Sequence, residues 1–389
     1  MSRASGSSRN FEVAVVGGGI IGLATAIMAA RAGARVVLVE ADPAALGASI
    51  RNFGLITISG QARGAVWQLS RRSRDLWDEI ASEAGLPILQ RGLVMAAQSE
   101  EAAGVLDAFL ATDMGADCST LSIEEASQAV PPLRESRIRA AALSPRELRI
   151  DPRTALPVLT DHARTLGVDV RFQSPVAGVC PGEIRLTCGE TLRAGRIIVC
   201  AGALAGRLAP AEIAARMPAC TKLHMLRIRP RSDLGLPKPA VISDLTFARY
   251  PGFADLPEAA ALKARLAVSH ADMLADGIHV IAVRNQDGTL TIGDSHHDCS
   301  GDSADPFQPT GVDKRILEAA NQFLDLDGAE VVERWTGAYP KADGGDWMIE
   351  ETAPGVWFAG VLGGKGMTLS FGFAEMVVNQ LGLVEGAAS

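Results

Sequence analysis

The sequence predicts an α/β protein in two parts: a parallel-sheet domain assembled from separated stretches of chain, and a largely antiparallel sheet domain inserted between them. Three observations predict it. A buried strand, a glycine-rich turn, an apolar helix and a second buried strand follow one another in residues 11–39. Strand-then-helix units recur in the middle and at the end of the chain, and the stretch 219–293 between them is dense in short strands. Parallel strands need helical crossovers, whereas short strands joined by tight turns pair antiparallel, so the pattern divides the chain by sheet type. A length of 389 residues allows two domains, at roughly 150 residues each. On this reading residues 11–90, 150–218 and 332–389 build the parallel-sheet domain, and 91–149 and 219–331 the antiparallel one. Residues 1–10 (MSRASGSSRN) read as a polar, disordered start.

Each element has a local reason. Phe11–Val16 and Arg35–Val39 are short continuous apolar runs, the signature of strands buried on both faces. Ile20–Arg31 is a helix closed by Gly33 just past its end. Residues 61–84 place Trp67, Leu76, Trp77 and Ile80 on one helical side and leave the charges of 71–75 (RRSRD) to solvent. From Ile88 to Ala97 the period shortens to that of a strand, and Glu100–Thr112 returns to helix. Ser122 and Glu125 have the spacing of a capping box. Asp151–Leu166 reads as helix, Val168–Phe172 as strand, 176–193 as a hairpin, and Arg196–Cys200 as a buried strand. The runs LHMLRIR, IHVIAVR and TLTIGD are strands, with a hairpin turn at Asp287-Gly288. A helix over Val312–Leu326 precedes strands near 330, 347 and 356, and a glycine-rich loop leads into a last helix at 366–384.

Composition narrows the function. The chain is 48% hydrophobic and 21% charged, with net charge −8, so it can bury a large core and is a poor partner for nucleic acid or an anionic membrane. Residues 13–30 carry no charge and reach spanning length, but four glycines interrupt them and a strand follows, so they read as a folded core segment. Six cysteines without a CxxC pair read as buried thiols in a reducing, cytoplasmic setting. His296, His297 and Cys299 lie in a polar loop without a second ligand pair, and no metal is expected.

The motif that carries chemistry is Gly17-Gly18-Gly19-Ile20-Ile21-Gly22, a GxGxxG run placed directly after a strand and opening a helix. Gly17 permits the tight turn, Gly19 lets backbone approach a pyrophosphate, Gly22 lets helix and strand pack closely, and the helix N-terminus favours the phosphate charge. Glu40 ends the next strand, where its carboxylate can accept from ribose hydroxyls and disfavours a 2′-phosphate. The first domain is therefore of Rossmann type and binds a dinucleotide. No second such motif follows a strand, so separate docking of NAD(P)H is not expected. Cys200-Ala201-Gly202 and Gly363-Gly364-Lys365-Gly366-Met367-Thr368 add two glycine-containing strand ends for a large cofactor.

With VVGGGIIGLATA, GASIRNFGLI (47–56), IIVCAGA and GVWFAGVLGGKGMTLSFG in this order, nearly the whole chain resembles the D-amino-acid-oxidase-type FAD oxidoreductases, which include glycine and sarcosine oxidases. SIRNFG and IGDSHH are most similar to a branch associated with phosphonate catabolism. The resemblance implies FAD held by Gly17, Gly19, Ile20, Ile21 and Gly22, with Glu40 and Ala41 at the adenosine ribose. It places Ala48, Ser49, Arg51, Asn52, Phe53 and Gly54 beside the pyrophosphate and flavin, Val176 at adenine, and Ala201-Gly202 on a neighbouring strand. Gly363, Gly364, Lys365, Gly366, Met367 and Thr368 would meet the flavin ring, with Lys365 the candidate catalytic cation.

Two departures from the family shape the substrate expectation. Tyr339, in WTGAYP, stands where similar amino-acid oxidases carry a carboxylate-clamping arginine, and 340–350 contain no cysteine to tether the flavin, so FAD is expected to be non-covalent. The implied substrate is a small amine with an anionic group, led by 2-aminoethylphosphonate or its N-methyl derivative, with glycine, sarcosine or D-amino acids as the alternative. Arg249, Tyr250, His270 and Tyr339 are the candidate anion donors. His224 and His279 lie in strand-like runs and read as packing residues, and Arg334 as an internal ion-pair partner. The implied reaction gives an imine, hydrolysed to an aldehyde plus ammonia or methylamine, with oxygen or another electron acceptor completing the cycle. A flavoprotein hydroxylase or a non-catalytic FAD-binding subunit is the reading of another class.

Overall fold

In the computed structural model of the protein, the described residues are 10–215, 219–232, 239–300, 304–341 and 344–383. Residues 1–9 of the expected disordered start lie outside them, whereas Asn10 already belongs to the first strand, which corrects that boundary. Two sheets organise the described chain. The first runs in the order Trp347–Ala353, Val356–Val361, Thr191–Val199, Asn10–Val16, Val36–Val39, Asp169–Arg171. Its centre is parallel: Val13 faces Arg196 on one side and Val36 on the other. Val36–Val39 is buried at every position, as a strand covered on both faces must be. Val176–Cys180 and Glu183–Leu186 attach antiparallel beside Thr191–Val199, so the expected single hairpin is a three-strand meander.

Helix Ile20–Arg31 buries eight of its twelve residues, because it lies between the sheet, helix Pro152–Thr165 and the last helix, Gly366–Gln380. A helix apolar on nearly every side needs such cover. Helix Ala65–Ala84 also packs on Gly366–Gln380. There the Trp77 ring meets Phe371 edge-on at 4.7 Å, and its Nε1–H donates to the Met367 carbonyl at 2.9 Å. Arg71, Arg72 and Asp75 of this helix are exposed, as the charge pattern predicts.

The second sheet runs His297–Ser300, Ala219–Arg229, Leu290–Gly293, Ile281–Arg284, Ala240–Ile242, Gln90–Ala97, Ala140–Arg149, Leu55–Ile56. It is antiparallel except where Ala240–Ile242 pairs parallel with Gln90–Ala97. The long strand Glu330–Lys341 pairs along Ala219–Arg229. Residues 332–341, expected with the parallel segments, therefore belong to the second sheet, because their partner strand is there. The stretch read as strand-rich also holds four helices, Asp244–Phe247, Pro251–Ala254, Ala259–Ser269 and Ala271–Ala275. Helix Val312–Leu326 is observed as Thr310–Asn321. The Ser122–Glu125 capping box is present in both directions. Among the described residues no helix is long and apolar enough to cross a membrane.

Candidate active site

One cavity of about 790 Å³ runs from the glycine turn after Asn10–Val16 to the far wall of the second sheet, within the size range of cofactor and ligand sites. At its first end Gly17 has φ +108°, and a Cβ there would lie 2.6 Å from the Cys200 carbonyl oxygen. A Cβ on Gly22 would lie 1.9 Å from the Gly17 carbonyl oxygen, so helix and turn touch backbone to backbone. Gly19 is less confined, its nearest neighbour being the Ser49 hydroxyl at 3.1 Å. That hydroxyl accepts from the Ile20 N–H at 2.9 Å.

Glu40 is fastened at the end of Val36–Val39. It accepts from the Gly18 N–H at 2.6 Å and from the Asp42 N–H at 2.9 Å, and it lines the cavity together with Ala41. The loop 48–54 is organised by Asn52, whose Nδ2 donates to the Ala48 and Ser49 carbonyls while its Oδ1 accepts from the Gly54 N–H. Ala48, Ser49, Asn52 and Phe53 line the cavity, as do Ile20, Ile21, Val176, Ala201 and Gly202.

Four of the residues singled out from the sequence are not on the lining. Gly22 packs behind it, and Gly54 has φ +69° with a would-be Cβ 2.0 Å from the Ile150 carbonyl oxygen. Arg51 turns away and donates from Nη1 to the Thr336 carbonyl at 3.3 Å. His270 sits at the end of helix Ala259–Ser269, with Nδ1 against Ser269 Oγ at 2.7 Å and Nε2 against Gln322 Oε1 at 2.9 Å. It is thus a local cap contact rather than an anion donor in the cavity.

The loop Gly363–Met367 closes one side. Gly363 and Gly364 have φ of +67° and +77°, and Lys365 is the cap residue of helix Gly366–Gln380. Lys365 Nζ donates to Asp346 Oδ1 at 2.6 Å, so the cation expected from the sequence arrives already paired. Thr368 reaches across and accepts from the Thr57 N–H at 3.1 Å.

At the other end Tyr250, His279, His296 and Tyr339 form a continuous wall, with successive ring centroids 5.1, 5.1 and 6.2 Å apart. Tyr250 fits because residue 60 is glycine: a Cβ there would lie 2.0 Å from its ring. Burial pushes the Tyr250 hydroxyl up and that of Tyr339 to about 12, so both stay protonated and can donate. Asp294 stands among the imidazoles, Oδ1 3.0 Å from His279 Nε2 and Oδ2 3.7 Å from His296 Nε2. Burial pulls His279 down and His296 to about 3, leaving both neutral at neutral pH. Burial pushes Asp294 up, but His296, His279 and Arg249 hold it below the ordinary carboxylate range. Arg249 lines the same end, exposed, with no ion pair or side-chain hydrogen bond among the described residues.

His279, Asp294 and His296 were missed from the sequence, where His279 reads as packing and His296 as loop. A usable signal existed in Asp294-Ser295-His296, since residues two apart on extended chain present one face. His296, His297 and Cys299 do not converge. His297 lies tilted against His224, ring centroids 5.3 Å apart, and the cysteine thiol points at the His297 carbonyl. Arg334 is an internal partner as expected, with Nε 3.0 Å from Asp313 Oδ2.

A family model described as "FAD dependent oxidoreductase" matches residues 12–380. A D-amino-acid oxidase of Streptomyces coelicolor is 41% identical over 80 residues, 20% of this chain, so the match spans about a quarter (24%) of that relative's length. Among solved structures, glycine oxidase from Geobacillus kaustophilus superposes with TM-score 0.76 at 21% identity over 98% of this chain and 96% of its own. L-proline dehydrogenase from P. horikoshii superposes with TM-score 0.78 at 19% identity, over 96% and 94%.

Proposed function

The chain belongs to the FAD-dependent oxidoreductases of the D-amino-acid oxidase type, and from that premise we propose that it oxidises a small amine bearing an anionic group. FAD is the cofactor, and the residues fit it. The turn at 17–22 leaves no room for side chains at Gly17 or Gly22, the Gly19 backbone faces open cavity beside Ser49, and a carboxylate closes the next strand. Gly17, Gly19, Ile20 and Ile21 would hold the pyrophosphate and Glu40 the ribose, with Ala48, Ser49, Asn52, Phe53, Ala201-Gly202 and 363–368 along the rest. Binding is non-covalent on this reading, since the sequence 340–350 offers no cysteine.

The observation that carries the substrate class is Arg249. A guanidinium with no ion pair or side-chain hydrogen bond among the described residues stands at the cavity end that Tyr250 and Tyr339 also line. Unpaired arginine with neutral donors beside it is an anion clamp awaiting its anion. Three such donors suit the three oxygens of a phosphonate, which supports 2-aminoethylphosphonate or its N-methyl form as leading substrates. Glycine-like amino acids are the second reading, favoured by the amino-acid substrates in the names of similar proteins.

Bound FAD supplies a two-electron acceptor, so the amine loses a hydride and a proton and the imine hydrolyses to an aldehyde plus ammonia or methylamine. The chain's part is positional. Arg249 and the tyrosines would fix the anion, the apolar lining limits water, and the N-terminus of Gly366–Gln380 offers positive potential, Lys365 being paired with Asp346. Oxygen is the proposed final acceptor, giving hydrogen peroxide, and six cysteines outside any disulfide support a reducing, cytoplasmic setting, although Cys180 and Cys188 are exposed rather than buried as expected.

The test is anaerobic flavin bleaching with 2-aminoethylphosphonate, its N-methyl form, glycine, sarcosine and D-alanine, repeated on Arg249→Met. Bleaching by the phosphonates, with half-saturation raised about 10- to 100-fold in the variant, is the expected result. Bleaching by amino acids alone moves the substrate to the second reading, and an unchanged half-saturation removes Arg249 as the clamp.

A further inference from the structure

We propose that Asp294 and His296 form a built site for the substrate's positively charged nitrogen, beside His279, whose backbone N–H donates to the Asp294 backbone carbonyl at 3.1 Å; this deepens the amine reading above and rests on it. His296 Nδ1 lies 3.0 Å from the Gly277 carbonyl oxygen, an acceptor only, so the ring proton sits on Nδ1 and Nε2 presents its lone pair. That lone pair faces Asp294 Oδ2 at 3.7 Å. Two acceptors thus face each other across a gap of 3.7 Å, an arrangement that attracts a donor group bridging both from the cavity side.

The carboxylate has the same need. The Asp294 side chain is 7% exposed, and its Oδ1, although 3.0 Å from His279 Nε2, receives no aligned hydrogen bond. A buried carboxylate calls for a charged donor. The groups around the gap are His279 and His296, neutral through burial, the protonated Tyr250 packed on His279, the Tyr339 ring, and Arg249 at the cavity's exposed edge. None is a cation seated in the gap. An ammonium or iminium N–H group supplies both charge and donors, with one N–H to His296 Nε2 and one to Asp294 Oδ2.

The three side chains bring one polar atom each within 4.8 Å of one another, a spacing a divalent metal would also fit. A metal is disfavoured because the trio holds one carboxylate and Arg249 lies close enough to be felt by all three residues. A monocation matches that single charge, and Arg249 then takes the other end of the same zwitterionic substrate.

The site predicts preference for nitrogen over oxygen, which equilibrium binding reads directly. The probes are 2-aminoethylphosphonate against 2-hydroxyethylphosphonate, and glycine against glycolate, titrated calorimetrically into dithionite-reduced holoenzyme, where the amines do not turn over. Wild type is expected to bind the amine of the recognised pair about 10- to 100-fold more tightly, the worth of a hydrogen bond to a charged group. Asp294→Asn should bring that ratio close to one while the hydroxy compound binds within about twofold of wild type, and His296→Gln should lower the ratio partway.

A ratio that survives both substitutions overturns the site. So does equal loss of both probes in both variants, which marks a structural role. An amine preference abolished by EDTA and restored by Mn²⁺ or Zn²⁺ overturns it in favour of a metal. The amine-oxidation reading fails separately: if no amine bleaches oxidised flavin yet the ratio collapses in Asp294→Asn, the nitrogen site stands without that reaction.

Discussion

Gly17, Gly19 and Gly22 share one turn but are constrained by different neighbours, and the difference is testable. At Gly22 a methyl group would meet backbone, the Gly17 carbonyl oxygen at 1.9 Å, which can move only by opening the turn. At Gly19 the neighbour is the Ser49 hydroxyl at 3.1 Å, which can give way at the cost of one hydrogen bond, from the Ile20 N–H. Gly22→Ala should therefore cost about 1–3 kcal/mol of stability and lose flavin as a consequence. Gly19→Val should unfold like the wild-type apoprotein yet lose flavin because its side chain projects into the cavity. The ratio of absorbance at 450 and 280 nm, with thermal unfolding of both apoproteins, separates the two; equal destabilisation would refute the distinction. The glycine turn and Glu40 were legible because their chemistry is local. The pairing of Lys365 with Asp346 was not, since 19 residues and a turn separate them. His279 was hidden because its partner Asp294 lies on the neighbouring strand connection, and strand-like apolar surroundings read equally well as core.

The last helix, Gly366–Gln380, joins the cavity to the core. Its first turn holds Met367 and Thr368 on the lining, and its next turn packs Phe371 against Trp77 of Ala65–Ala84. Trp77 is 1% exposed and donates to the Met367 carbonyl, so one side chain fixes both the packing and the register of the loop above it. Trp77→Ala should cost about 3–5 kcal/mol, measured by urea unfolding, and should weaken flavin retention. Retained stability would show that the neighbouring helices close the hole. The helical period of 61–84 made this contact side readable in advance. Helices of four or five residues, such as Asp244–Phe247 and Ala271–Ala275, were unreadable because they complete barely one turn and display no 3.6-residue period. Strand Ala140–Arg149 carries Pro145 and several polar residues, and it exists because Gln90–Ala97, Ser119–Leu121 and Leu55–Ile56 pair with it from distant sequence.

For the molecule as a whole, the alternation of parallel and antiparallel segments was legible, while the seam was not: Glu330–Lys341 joins the second sheet through a partner about a hundred residues earlier. That sheet also buries histidines, which makes stability depend on pH. Burial pulls His224, beside His297, down to about 4 and His296 down to about 3. In the unfolded chain both should titrate near 6.5. The unfolded state therefore binds more protons than the folded state below that value, so stability is fully present above pH 6.5 and lost as pH falls toward 4. Each histidine contributes about 1.4 kcal/mol per pH unit within this window, before lowered carboxylates such as Asp78 and Asp298 begin to protonate. Urea unfolding at pH 7, 6 and 5 should show a steepening decline, and His224→Gln should make it shallower because glutamine has no proton to take up. A stability that is flat between pH 6 and 5, or a slope untouched by His224→Gln, would mean that these imidazoles reach solvent on acidification without the sheet having to open.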